Sequence, residues 1–155
     1  MSQTAVETTV SGICAALDGG EGPLLPILQA VQAEFGHIPQ QALPVIAAAL
    51  NLSRAEVQGV VSFYHDFREV PAGRHVVRIC RAEACQAMGA TATAAAAQAR
   101  LDVDWHGTSA NGAVTLEPVY CLGLCACAPA VMVDGRAIAR VDAERMTHIL
   151  TECGA

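Results

Sequence analysis

A chain of 155 residues, 53% hydrophobic and only 15% charged, is long enough to fold around a real core and too apolar for a disordered tail. Its net charge is −6, and all nine basic residues are arginines with no stripe that could neutralise a row of phosphates, which argues against nucleic-acid binding. The longest low-polarity stretch, 87–99, is mostly alanine and falls short of the ~20 strongly apolar residues of a membrane span, so no membrane insertion is expected. The opening MSQTAVETTV lacks the basic-then-apolar run of a signal peptide, which points to a cytoplasmic protein.

The first third reads helical. A first helix is expected from about Thr4 to Leu17. After Gly22-Pro23, Leu24, Leu25, Ile27, Leu28, Val31 and Phe35 recur at helical spacing and stop at Gly36. A third helix spans about Gln40 to Leu50, with Pro44 tolerable in its first turns. Ser53-Arg54-Ala55-Glu56 has the capping-box pattern, and it opens a fourth helix through Val57, Val60 and Val61 to Phe63-Tyr64. No strand signal occurs before residue 74, so residues 1–70 read as a helical bundle.

Composition changes at Pro71-Ala72-Gly73, a hinge before a second part over 74–155. His75–Cys80 (HVVRIC) is short and β-branched, a strand. Ala90–Leu101 is a helix former with few bulky side chains. Val103–His106 and Ala113–Val119 read as strands joined through a turn at Asn111-Gly112. Ala130–Asp134 is a further strand, Asp134-Gly135-Arg136 a tight turn, and Ala137–Val141 its partner. Asp142 caps a closing helix to Cys153. The fold class is α+β: a helical bundle followed by a small sheet with helices.

Seven cysteines stand at 14, 80, 85, 121, 125, 127 and 153. An odd count in a cytosolic chain argues against a disulfide framework and for metal or redox chemistry. Cys80 ends a strand and Cys85 follows after four residues, at the start of the Ala-rich helix. Cys121 ends another strand and Cys125 follows after three residues, within Cys-Leu-Gly-Leu-Cys. Strand-to-loop junctions of one sheet can lie side by side, and two thiol pairs would supply two thiolates to each iron of a 2Fe–2S cluster. A helix starting near Cys85 would aim amide groups at the cluster's negative charge, and Gly123, Ala126 and Ala128 would let the backbone approach sulfur. Structural zinc also takes four cysteines, although zinc knuckles favour two-residue gaps and neither pair has one. Two disulfides and catalytic thiol chemistry are the other readings; the chain has no Cys-x-x-Cys.

With Cys-Arg-Ala-Glu-Ala-Cys-Gln-Ala-Met-Gly (80–89) and Cys-Leu-Gly-Leu-Cys-Ala-Cys-Ala-Pro (121–129), the sequence resembles the thioredoxin-like 2Fe–2S ferredoxins. These are small peripheral subunits of respiratory complex I, NAD-reducing hydrogenases and NAD-dependent molybdenum formate dehydrogenases. Phe-Gly-His-Ile-Pro (35–39), Leu-Ser-Arg-Ala-Glu-Val (52–57) and Gly-Val-Val-Ser-Phe-Tyr-His-Asp-Phe (59–67) extend the likeness over about residues 20–150. The Arg-Ala-Glu-Ala loop and short tails look most like the formate dehydrogenase gamma subunit.

The resemblance implies a thioredoxin-like domain with a small mixed sheet, one 2Fe–2S cluster and Cys80, Cys85, Cys121 and Cys125 as its ligands. It also implies one-electron exchange with the FMN of an NAD-binding flavoprotein, and a larger molybdenum-containing subunit that oxidises formate. FMN, NAD and the molybdenum cofactor are expected only on those partners, with the helical bundle as docking surface and no catalytic site on this chain. The equivalent subunit of complex I or of a hydrogenase is the nearest alternative; a zinc-stabilised adaptor and a free-standing ferredoxin or redox sensor are the others.

The remaining candidates read as structural. Cys127 fits a non-ligating loop thiol, with ligand exchange with Cys125 as its alternative; Cys14 and Cys153 fit packing or surface thiols. The five histidines are scattered, and His37 and His65 suit a loop and an aromatic segment. Phe63, Tyr64 and Phe67 suit core or a subunit contact. Asp102 and Asp104 alternate with Val103 and Trp105 like a solvated strand face. There is no Gly-x-Gly-x-x-Gly after a strand and no P-loop, hence no place for NAD or flavin.

Overall fold

In a computed structural model, which describes residues 3–155, the chain forms two compact units, one ending at Pro71 and one spanning Ala72–Ala155. Among the described residues there are seven α-helices and four strands.

The first unit holds α1 (Gln3–Ala16), α2 (Leu24–Phe35), α3 (Ala42–Leu50) and α4 (Arg54–Phe63). In α1 the face at i, i+4, i+8 is Val6, Val10 and Cys14, all buried; α2 adds Ile27, Leu28 and Val31, α3 adds Leu43 and Ile46, and α4 adds Val57 and Val61. Two helices end where a residue turns left-handed: Gly36 at φ 74° after α2 and Asn51 at φ 53° after α3. Ser53 caps α4, its hydroxyl accepting from the Glu56 N–H at 3.2 Å while the Glu56 carboxylate accepts from the Ser53 N–H at 2.8 Å. The chain after α4 is held on both sides by Gln32, which donates to the Asp66 carbonyl and accepts from the Arg68 N–H, both at 2.7 Å, and further on by Gln40 and Gln58, which donate to the Glu69 carboxylate. Phe63 is 73% exposed rather than core, and it meets Tyr64 edge-on, as Tyr64 meets Phe67.

The second unit is built on β1 (His75–Cys80), β2 (Val114–Val119), β3 (Val131–Val133) and β4 (Arg136–Ile138), in sheet order β2-β1-β3-β4. β1 and β2 run parallel, with His75 opposite Val114 and Cys80 opposite Val119. β3 is antiparallel to both β1 and β4, so the sheet is mixed. A parallel pair needs a crossover; here it contains α5 (Glu83–Ala87) and α6 (Ala90–Leu101), and α7 (Ala143–Glu152) follows the sheet. Val77, Ile79, Leu116 and Val131 of the sheet pack with Ala94, Ala97 and Leu101 of α6 and Met146, Ile149 and Leu150 of α7 in one core. Asp142 caps α7 by accepting from the Arg145 N–H at 2.8 Å.

Two sequence expectations are corrected. Val103–His106 is not a strand: Asp102 and His106 are left-handed, at φ 53° and 66°, and the Gly107 N–H closes a tight turn onto the Asp104 carbonyl at 3.0 Å. Only glycine fits at 107, since a Cβ there would lie 2.8 Å from the Cβ of Val103. The arm that does run beside β2 comes later and is a single bridge, Thr108 to Thr115, beyond which Gly112 at φ 65° makes the turn expected at Asn111-Gly112. Nor does Cys85 open the Ala-rich helix. It sits within the separate short α5, and Gly89 at φ 98° breaks the chain before α6. No helix among the described residues is long and apolar enough to cross a membrane.

Candidate functional site: four thiols at the end of the sheet

The parallel pairing decides where the cysteines meet. Because Cys80 and Val119 are opposite one another at the last positions of β1 and β2, the loops leaving the two strands start side by side. The Arg81 N–H then donates to the Val119 carbonyl at 2.7 Å, tying the loops together, and the Cys80 N–H donates to the Ala130 carbonyl at 3.0 Å. The first loop turns into α5 and carries Cys85; the second carries Cys121 and reaches Cys125 in a single 3-10 turn, Cys125–Cys127.

All seven cysteines are free thiols, and four of them stand as two pairs. Cys121 Sγ and Cys125 Sγ are 3.7 Å apart. Two thiolates on one tetrahedral metal, with bonds of about 2.3 Å, lie about 3.8 Å apart, so this pair already has the spacing of one edge of a tetrahedron. Cys80 and Cys85 lie close enough to shift one another's ionisation, and Cys125 feels the charge of Cys80. Among the described residues no three His, Cys, Asp or Glu side chains converge on a single metal-ion position.

The pairs differ in surroundings. Cys80 and Cys85 are each 2% exposed, walled by Ala90, Ala128 and Ala130 with Val119, Leu122 and Leu124 alongside, whereas Cys121 and Cys125 are exposed. Burial pushes the Cys80 thiol up, but amides of Ala82, Cys121 and Leu122 and the Cys85 thiol outweigh it and bring Cys80 below the usual thiol value. Burial raises Cys85, and the neighbouring Cys80 raises it further against the Ala130 amide. Cys125 is raised by its hydrogen bond to Cys121, then by that neighbour's charge. Cys121 accepts from the Gly123 N–H at 3.4 Å and lies at φ 90°, a conformation costing a non-glycine residue about 1–3 kcal/mol. Four thiols with amide donors on both pairs suit a negatively charged binuclear iron–sulfur group, which needs two thiolates per iron and dipoles to offset its charge.

A family model for thioredoxin-like [2Fe-2S] ferredoxins matches residues 10–154. The chain belongs to that family. The family implies a 2Fe–2S cluster, and the four-thiol end of the sheet is the place suited to one. Among relatives, an NADH-quinone oxidoreductase subunit from Pseudomonas aeruginosa is 37% identical over 107 residues, covering 69% of this chain and 64% of that relative. NADP-reducing hydrogenase subunit HndA of Solidesulfovibrio fructosivorans is 33% identical over 132 residues, covering 85% and 77%. A chain of an air-oxidised NAD+-reducing [NiFe]-hydrogenase shares the fold, with TM-score 0.69 and 24% identity over 82% of this chain and 22% of that one.

The other cysteines stand apart. Cys127 is half-exposed in the same turn as Cys125, its carbonyl accepting from the Arg140 N–H at 2.9 Å. Cys14 lies in the helical core and Cys153 in the sheet core, both raised chiefly by burial. Sequence reasoning missed Arg81, the residue after Cys80, and Trp105, whose ring lies under its guanidinium. The signal was there: the only tryptophan, and an arginine next to a cysteine of the constellation.

Proposed function

We propose that this ferredoxin-family chain is the small electron-transfer subunit of an NAD-linked oxidoreductase complex, holding one 2Fe–2S cluster through Cys80, Cys85, Cys121 and Cys125. The observation that carries the reading is the convergence of two thiol pairs at the adjacent ends of parallel β1 and β2. When bound, such a cluster supplies reversible storage of one electron with no bond chemistry on a substrate.

The residues of the chain divide the work. Cys121 and Cys125, already at a tetrahedral edge, would hold one iron, and Cys80 and Cys85 the other. The apolar wall of alanines around the first pair keeps water from half of the site. The amides facing Cys80 and the Gly123 N–H offset negative charge without moving when an electron arrives. The exposed second pair, with Tyr120 76% and Met88 63% exposed on the same loops, gives a partner's flavin a surface to approach.

The relatives' names, subunits of an NADH-quinone oxidoreductase and of an NADP-reducing hydrogenase, support a partner that handles NADH or NADPH; that this partner is an FMN-binding flavoprotein, docked through the helical unit in the cytoplasm, belongs to the proposal. The loop Arg81-Ala82-Glu83-Ala84 supports the finer reading: the gamma subunit of an NAD-dependent formate dehydrogenase, whose molybdenum-containing subunit oxidises formate to CO2. The test is to purify the tagged full chain anaerobically with its bound partners, assay FMN and molybdenum, and add NADH or formate. The proposal expects a bound flavin chain and a reduced-cluster EPR signal with either donor. A signal with NADH but not formate, in a complex lacking molybdenum, removes the formate reading. A chain that carries no flavoprotein and is not reduced by NADH overturns the proposal.

A further inference from the structure

Arg81 and Trp105 lie outside the four-cysteine set, but Arg81 follows one of its members in the chain and Trp105 holds the Arg81 side chain. Arg81 follows Cys80 directly, and its peptide is held on both sides: its N–H donates to the Val119 carbonyl at 2.7 Å, and its carbonyl accepts from Gln86 Nε2 at 2.7 Å. Its backbone thus joins the two loops that carry the thiol pairs. The side chain does not wave in solvent, for the guanidinium carbon lies 5.3 Å from the centre of the Trp105 ring, within range of a cation–π contact.

Trp105 is itself seated. It packs partly buried against the core beneath the sheet, and the turn that presents it is closed by the Gly107 N–H on the Asp104 carbonyl at 3.0 Å. The His106 N–H on the Leu116 carbonyl, at 2.7 Å, pins that turn to β2. The acidic neighbours in these two segments, Glu83, Asp102 and Asp104, are exposed and screened by water, and the buried Glu117 of β2 is paired with Arg78 at 2.9 Å, whereas Arg81 is half-buried. A guanidinium stays cationic at every working pH. The result is a fixed positive charge, one residue from a thiol of the site and clamped by an aromatic ring.

We infer that Arg81, positioned by Trp105, raises the reduction potential of the cluster. This rests on the 2Fe–2S reading above. Reduction adds one electron, delivered by a reduced flavin of the partner or by dithionite in vitro, and takes the four-thiolate cluster from a net charge near −2 to near −3. No proton moves at Arg81. A nearby fixed cation stabilises the more negative state by Coulomb attraction. Trp105 acts through Arg81 and is a positioning residue.

The experiment is an anaerobic redox titration of the full chain with its cluster, followed by EPR, for wild type, R81Q, R81K, W105F and R136Q. At a fixed ambient potential, R81Q is expected to lower the ratio of reduced to oxidised cluster by about three- to tenfold; tenfold corresponds to 59 mV for one electron. R81K keeps the charge and stays closer to wild type than R81Q, and W105F shifts the ratio the same way by less. R136Q removes an equal charge from exposed Arg136 on β4, whose partner Val133 sits opposite Val77 rather than at the cysteine end, and leaves the ratio within twofold. An R81Q midpoint equal to wild type, or an R136Q shift as large as that of R81Q, overturns the inference while leaving the cluster reading intact. A wild-type chain with neither iron nor sulfide overturns the cluster reading itself, and the role of Arg81 with it.

Discussion

The two ends of the β-sheet are made from the same strands and treated in opposite ways. At the end where β1 begins, polar groups satisfy one another: His75 Nδ1 meets Asp134 Oδ2 at 2.7 Å, and Asp134 Oδ1 accepts from the Val76 N–H at 2.8 Å. Asn111 there accepts from Ser109 and from the Ala113 N–H and donates to the Gly154 carbonyl. At the end where β1 and β2 finish, the chain keeps four free thiols, a cysteine at φ 90° and two large exposed apolar side chains. Strain and exposure are costs that a fold optimised for stability alone would avoid. The free thiols and exposed apolar side chains gather at the finishing end, whereas the starting end, although Asp134 there is left-handed at φ 49°, is closed by its own hydrogen bonds.

The comparison is broken most directly by removing a thiol. Cys80→Ser or Cys121→Ser is expected to abolish the cluster's EPR signal or change its form, with iron falling well below two per chain; an unchanged spectrum for either variant contradicts the assignment. Next in size is the core beneath both ends. Leu116 is fully buried, and Leu116→Ala is expected to cost about 2–5 kcal/mol in denaturant unfolding while the cluster still binds in the folded fraction.

The quiet end gives a smaller, pH-dependent effect. Burial pushes the Asp134 carboxyl up, but the hydrogen bonds from His75 and the Val76 N–H outweigh it and hold it below its ordinary value of about 3.9. A depressed carboxyl stabilises the fold above its unfolded value and stops doing so as pH falls through the folded one. Both side chains are more than a third exposed, so Asp134→Asn is expected to cost at most about 1 kcal/mol near pH 7. The difference from wild type should close below about pH 4, and urea midpoints across pH check it; a gap that widens on acidification contradicts the sign. Smallest of all is Cys127→Ser, expected to leave iron content and EPR line shape as they are. Loss of iron there would make Cys127 a ligand.

Much of this was legible in the chain because short-range chemistry wrote it. The capping box at Ser53, the stop at Gly36, the N-cap at Asp142 and the turn at Asn111-Gly112 each follow from one residue's own hydrogen bonds or backbone freedom. The juxtaposition of the cysteine loops was readable for a similar reason, since both loops follow strand-like segments. What misled was the pattern Asp102-Val103-Asp104-Trp105. Alternation there comes from a tight turn that puts Val103 and Trp105 against the core, and the sign was Gly107, where a side chain would strike Val103. The split between α5 and α6 was hidden because Gln86, Ala87 and Met88 are good helix formers, and only the left-handed Gly89 interrupts them. The amides around Cys80 and the left-handed Cys121 arise from tertiary packing and leave no mark in composition or period.

The central claim is that the end of the sheet holding Cys80, Cys85, Cys121 and Cys125 binds one 2Fe–2S cluster. The most direct measurement is an anaerobic preparation of the full chain assayed for iron, acid-labile sulfide and zinc, with EPR before and after dithionite. The account predicts about two irons and two sulfides per chain, no signal when oxidised and an S = 1/2 signal when reduced. One zinc per chain in protein never starved of iron, with no signal in either state, would contradict it.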